Sequence, residues 1–317
     1  MIVRWGLEHL PEVLGEVGIE RPLLVASPRW DGLELPDAPR WSEIPSHRIE
    51  VPESVDGVLA VGGGSAIDTA KAASAASGLP LVSVPTTYSG AEWTPTFGLR
   101  EPSKKMVGGG GGAKLAGIVY EPKLTLDLPR AESGGTAMNA LAHTAEALYA
   151  RGHNAAGDER ALAGAQAIAE FLPRVLDSPG DLELRARLLE GAARAGEALA
   201  LAGLALAHAI AQAVGGTYGL PHGTLNGISL PPALRFNAPL APEAVHRFGE
   251  AIGAPGDPAA RVEQLAALSG PTRLRELGVP ESDLPQLAEA VAQRAGNRTN
   301  PRPATAGEIE ELLRSVW

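Results

Sequence analysis

Three histidines and two carboxamides stand at spacings that can build one site. Asn139 and His143 lie four positions apart in "TAMNALAHTAEALYA" (136–150), so a helix sets both on one face. His208 and Gln212 repeat that spacing in "AHAIAQAVGG" (207–216), and His222 follows a proline in "LPHG" (220–223), where that helix is expected to have ended. Imidazole nitrogens suit Fe, Zn or Ni, and a divalent ion would hold polar groups that are otherwise costly inside an apolar bundle. Each histidine also has a plainer reading, as a core residue satisfied by one hydrogen bond. The spacing alone leaves both open.

A second constellation lies earlier in the chain. In "VLAVGGGSAIDTAKAAS" (58–74) a hydrophobic strand runs into Gly62, Gly63 and Gly64, and a helix begins at Ser65. Glycines let backbone approach a ligand closely, and the free N–H groups and dipole of a helix start favour an anion. A diphosphate is the natural guest, although a tight strand-to-helix turn without a ligand has the same pattern. The next strand ends in "VPTTYSGAEWT" (84–94), which brings Thr86, Thr87 and Ser89 to the same carboxyl edge. Ligands of open α/β sheets bind at that edge.

These residues need two different kinds of scaffold. Up to about residue 128, short apolar runs alternate with Gly and Pro punctuation: 21–27, 56–65, 79–87 and 116–122 read as buried strands. The alanine-rich stretch 65–78 reads as a helix between the second and third of them. Strand, helix, strand in that order predicts parallel pairing with a right-handed crossover. From 129 to 317 the predicted helices are 136–151, 158–176, 181–213, 241–252, 257–267, 284–295 and 306–316. The fold class is thus an α/β domain (1–128) followed by an all-α domain (129–317). The run "GGGGG" (108–112) reads as a mobile loop.

With 317 residues the chain can bury a substantial core. A net charge of −10 without a basic patch gives no nucleic-acid signature. Absence of cysteine removes disulfides and thiolate nucleophiles together. No apolar run of membrane length stands free of polar residues. The expectation is a soluble, cytoplasmic protein acting on a small molecule, with neither nucleic acid nor membrane as partner.

The motifs "GGGSAIDTAKA", "PTTYSGAEWTPTFGL", "MNALAHTAEALYA", "LPHGTLNGISLPPALRFN" and "NPRPAT", in this order, resemble the iron-containing alcohol dehydrogenase family, and within it the maleylacetate reductases. The resemblance implies a dinucleotide-binding domain and a helical domain with the active site in the cleft between them, NAD or NADP as cofactor, and a homodimer. It matches Gly63, Gly64 and Ser65 to the diphosphate loop, Asp68 to the helix that follows, and Thr86 and Thr87 to the loop that contacts phosphate and nicotinamide. Lys105 matches a lysine facing the nicotinamide. His143, His208 and His222 match three metal-binding histidines, for Fe or Zn, whose fourth partner is an aspartate in the dehydrogenase branch.

Two positions depart from that branch. Asn139 replaces the aspartate, and an amide brings no negative charge to a cation. Gln212 stands where a further histidine is usual, and an amide does not titrate near neutral pH. The stretch from Ser27 to Gly62 is also short, and is expected to lack a helix that frames the adenosine end of the cofactor. The activity implied is reversible hydride transfer to a small carbonyl or activated C=C substrate. His143, His208, His222 and Gln212 are the candidate catalytic residues, and Arg100, Lys104 and Lys105 the nearest cations for a dicarboxylate. The alternatives are a metal-dependent alcohol or aldehyde dehydrogenase, a catalytically degenerate nucleotide-binding homologue, and a lyase of the dehydroquinate synthase type.

Overall fold

The computed structural model describes residues 1–101 and 105–317, so Lys104 lies outside the described residues. Its chain separates into two compact units: 1–87 with 91–127, and 88–90 with 128–317.

In the first unit, β1 (Ile2–Trp5), β2 (Pro22–Ala26), β3 (Arg40–Trp41), β4 (Gly57–Gly62) and β5 (Pro80–Pro85) join a later strand in one sheet. The hairpin β6 (Phe97–Arg100) and β7 (Met106–Gly110) stands apart as an antiparallel pair. β8 (Lys114–Tyr120) completes the main sheet, whose order is β1-β8-β5-β4-β2-β3 with every pairing parallel. The strand periodicity of two sorts its apolar residues onto opposite faces. Leu24, Leu59, Val61, Val82 and Val84 pack with Leu10, Val13 and Leu14 of α1 (Leu10–Val17). Their alternates, Leu23, Val25, Val58, Ala60 and Leu81, pack with Ile67, Ala70 and Ala73 of α2 (Gly64–Ser77). Both faces are therefore covered, which is why these strands read as unbroken apolar runs.

Sequence reasoning missed β1 and β3, each too short to carry a pattern. Between Ser27 and the start of β4 the segment holds only a 3-10 turn and the two residues of β3. The glycine run was expected to be a mobile loop; instead, its first three residues belong to β7. The reason is a large neighbour: a Cβ on Gly110 would lie 2.8 Å from the Phe97 ring, and one on Gly109 would lie 2.9 Å from the Phe97 carbonyl oxygen. Glycine here accommodates a close partner strand.

The second unit is helical: α3 (Arg130–Ala147), α4 (Ala155–Asp177), α5 (Leu182–Ala202), α6 (Leu206–Tyr218), α7 (His222–Asn237), α8 (Pro242–Ala251), α9 (Pro258–Ala267), α10 (Leu284–Ala292), α11 (Ala295–Thr299) and α12 (Ala306–Ser315). Among the described residues no single helix is long and apolar enough to cross a membrane. α3 is the central element, packed by α4, α5 and α7 and buried along nearly its whole length. Small residues allow this density. A Cβ on Gly164 would come within 3.0 Å of the Gly191 carbonyl oxygen, so α4 and α5 cross almost backbone to backbone. The C-terminal "NPRPAT" stretch is locked by a reciprocal amide pair, Asn237 to Asn300 at 3.0 Å and back at 2.8 Å, both fully buried.

Two helix expectations are corrected. The predicted helix 181–213 is broken: Gly203 takes φ 86°, a conformation that favours glycine, and α5 and α6 meet at a bend of 102°. α7 was not foreseen at all, because Gly223, Gly227, Pro231 and Pro232 all signal a break. Packing against α3 and α9 overrides them.

α12 offers a pH test of local stability. Thr305 and Glu308 form a capping box, and Arg302 holds the other side of the Glu308 carboxylate at 2.8 Å. These contacts, the arginine first, lower that carboxyl from 4.5 to about 2. A depressed folded pKa means stability that is present above the unfolded value and lost as pH falls towards the folded one. Glu308→Gln is therefore expected to destabilise the protein near neutral pH. The gap to the parent should close between pH 4.5 and about 2, as read by denaturant unfolding at stepped pH.

Candidate active site

The loop expected to hold a diphosphate lies at the carboxyl end of β4. Gly63 is the N-cap of α2, and no side chain caps that helix. The first-turn N–H groups thus lack the side-chain acceptor that a helix start normally recruits. The Thr86 N–H donates to the Gly62 carbonyl at 3.1 Å, joining the two loops at this edge. Gly63 must be small, since a Cβ there would sit 2.8 Å from the Thr87 methyl. Thr87 Oγ1 is buried with no hydrogen-bond partner among the described residues. An uncapped helix start beside an orphaned hydroxyl fits the diphosphate of a dinucleotide.

Other expected cofactor residues are placed differently. Ser65 is exposed on the first turn of α2. Asp68 is engaged with the β6 hairpin: it pairs with Lys71 at 3.3 Å and accepts from the Gly98 N–H at 3.2 Å, and burial pushes its carboxyl up. Lys71, almost wholly buried, continues to the Thr96 carbonyl at 2.8 Å. Asp68 is in this way part of what anchors the hairpin. Lys105 is exposed just before β7, and Arg100 lies beside Asp68. Ser89 belongs to the helical unit with Tyr88 and Gly90.

In that unit α3, α6 and α7 bring the imidazoles together. The rings of His143 and His208 stack at 4.7 Å with 15° between planes, and His208 and His222 lie 5.7 Å apart at 55°. Asn139 sits among them. Its Nδ2 donates to the Ser89 carbonyl at 2.7 Å. A carbonyl only accepts, so the amide orientation is fixed and Oδ1 faces inward. That Oδ1 accepts from Asn226 Nδ2 at 2.7 Å and lies 3.3 Å from His208 Nε2. Asn226 Nδ2 also reaches His222 Nε2 at 3.1 Å. Gln212 is half-buried one turn along α6 from His208.

Burial, then the neighbouring His208 and His222, hold the His143 pKa well below its ordinary value. Its ring is backed by Gly90, where a Cβ would lie 3.4 Å from His143 Nδ1. Gly90 itself takes φ 72°. A side chain there would be strained and would crowd the imidazole.

Two residues of this cluster escaped sequence reasoning. Glu146, fully buried on α3, accepts from His208 Nδ1 at 2.7 Å, from the Ala205 N–H at 2.8 Å and from the His208 N–H at 3.2 Å. A carboxylate amid "AHTAEALYA" was the available signal, since a buried acid needs partners. Asn226, also fully buried, was visible only as the last residue of "GTLN".

The four expected metal ligands are neighbours, but they do not make a cation site as they stand. Among the described residues no group of three or more His, Cys, Asp or Glu side chains is arranged to hold a metal ion. The Asn226 amide occupies the approach shared by Asn139 Oδ1 and His222 Nε2, and Asn139 adds no charge. The set does not fit a resident ion.

Comparison with known proteins gives the family. Residues 134–317 match the Fe-containing alcohol dehydrogenase family, C-terminal, and residues 48–115 match the iron-containing alcohol dehydrogenase family. The maleylacetate reductase of Pseudomonas knackmussii is 32% identical, covering 98% of this chain and 93% of that protein. Maleylacetate reductase 1 of Rhodococcus opacus is 34% identical, over 98% and 86%. The crystal structure of maleylacetate reductase from Agrobacterium tumefaciens is similar with a TM-score of 0.86 at 28% identity, covering all of this chain and 95% of that one. The chain belongs to the iron-containing alcohol dehydrogenase family and is an oxidoreductase.

Proposed function

We propose that the chain catalyses reversible hydride transfer between NADH or NADPH and a small carbonyl or enoate substrate, as a maleylacetate reductase does. The observation that carries this reading is the joining of buried Asn139, His143 and His208 with half-buried His222 in one cluster, in a chain of this family. When bound, the dinucleotide supplies the hydride from its nicotinamide. Gly63, Gly64 and the first turn of α2 bind the diphosphate through backbone N–H groups, and Thr87 offers its hydroxyl beside them. Thr86 keeps the two loops in register.

The imidazoles handle the charge that reduction creates on the substrate. His143 stays neutral, because burial opposes a charge on it. It serves as a hydrogen-bond partner for the substrate. His208 is the proton carrier: Nδ1 is committed to Glu146, so Nε2 is the atom that exchanges a proton with the reacting group. Asn139 and Asn226 orient His208 and His222. No step is assigned to iron or zinc.

Oxidation of NADH and NADPH, followed by absorbance against maleylacetate and simple aldehydes with and without added Fe, Zn or Mn, tests the reading. Turnover of maleylacetate without added metal is expected. No oxidation with any substrate would refute it.

The amide at position 139 supplies a sharper check. Asn139→Asp restores a carboxylate facing the imidazoles and should raise affinity for Zn or Fe at least tenfold, by calorimetry. The same change leaves a carboxylate oxygen against the Ser89 carbonyl that now accepts from Nδ2. A loss of about 1–3 kcal/mol in the metal-free variant should accompany the gain.

A further inference from the structure

We propose that Glu146 is the positioning residue of the site, fixing both the place of His208 and which of its ring nitrogens carries the permanent proton. The inference rests on the reading of His208 as the proton carrier, and it reaches a residue on a different helix.

The break after α5 leaves α6 starting afresh at Leu206, and no side chain of its own segment caps it. Glu146 supplies that function from α3. Its Oε2 accepts from the Ala205 N–H at 2.8 Å and its Oε1 from the His208 N–H at 3.2 Å, both at the first turn of α6. A buried carboxylate at a helix start is stabilised by the free donors and the dipole. The same Oε2 accepts from His208 Nδ1 at 2.7 Å. One carboxylate thus holds the backbone and the ring of the same residue. The ring has no freedom left to swing or to exchange its tautomer.

The tautomer decides the chemistry. With Nδ1–H given to Glu146, Nε2 is the nitrogen that faces Asn139 Oδ1, 3.3 Å away. That oxygen is itself held as an acceptor, because Asn139 Nδ2 is taken by the Ser89 carbonyl. A proton that arrives at Nε2 is therefore donated to Asn139 Oδ1, which holds it until the reacting group takes it. Loss of the Nε2 proton to a substrate returns His208 to the tautomer that Glu146 favours. The arrangement follows the logic by which a buried carboxylate orients a catalytic imidazole.

Glu146→Gln separates this role from mere capping. Glu146 serves three donors with two oxygens. An amide NH2 at the Oε2 place opposes two of them and at the Oε1 place one, so the variant can still fold, but its neutral oxygen holds Nδ1–H less firmly than a carboxylate does. Two-bond 1H–15N correlation spectra of protein labelled at histidine, with His208 assigned by a His208→Asn variant, report the ring directly. The parent should show Nδ1 protonated throughout, and Glu146→Gln should show a mixture of Nδ1-protonated and Nε2-protonated rings. Its kcat should fall about 10–100-fold while KM for the dinucleotide stays unchanged. A parent spectrum with Nε2 protonated and Nδ1 bare would overturn the proposal, as would a Glu146→Gln kcat within twofold of the parent. The spectrum needs no turnover, so a failure of the assigned reaction leaves that arm decisive.

Discussion

His208→Ala should lower kcat by about 10²–10⁴-fold, the usual contribution of a positioned proton carrier, while the protein remains folded. The fold survives because the residue's backbone keeps its partner. Glu146 continues to accept from the Ala205 N–H and from the N–H of residue 208, so α6 stays capped. What disappears is the imidazole, and with it the bond to Oε2. Removing that bond costs about 1–3 kcal/mol, a modest fall in thermal midpoint. Dinucleotide affinity, measured by fluorescence titration, should be unchanged, since the loop proposed to hold the diphosphate belongs to the α/β unit. Turnover within threefold of the parent would remove His208 from the chemistry.

Gly63→Val should act on binding instead. A Cβ at this position would lie 2.8 Å from the Thr87 methyl, and valine adds two methyls beyond it. The loops joined by Thr86 and Gly62 would be forced apart, and the amides at the start of α2 would be screened from an anion. Dinucleotide affinity is expected to drop at least 100-fold, about 2.8 kcal/mol, with the imidazole cluster unaltered. Unchanged affinity would show that the diphosphate binds elsewhere. Together the two variants separate cofactor capture from proton handling.

Much of the fold could be read from residue order. The apolar strands of the parallel sheet and the Ala/Leu/Glu/Arg helices carry strong periodic signals, and β2, β4, β5, β8 and α2 lie where the patterns put them. The misses have physical causes. α7 contains Pro231 and Pro232, and its helicity comes from packing on α3. Likewise β7 is built of glycines that only its partner strand explains. In the cluster, i,i+4 spacing picked out Asn139 with His143 and His208 with Gln212, and His222 stood out after its proline. Glu146 carries no spacing signal towards His208, 62 positions away. Their meeting depends on the bend at Gly203, which no local pattern encodes.

Residues 88–90 sit with helices encoded much later, so the polypeptide passes from one body to the other three times, after 87, 90 and 127. A gene fragment starting at codon 128 would encode every imidazole of the cluster but not the Ser89 carbonyl that sets the Asn139 amide. Recombination that trades one half of such an enzyme for another's must therefore import this tripeptide as well, or deliver a bundle whose central amide is free to flip.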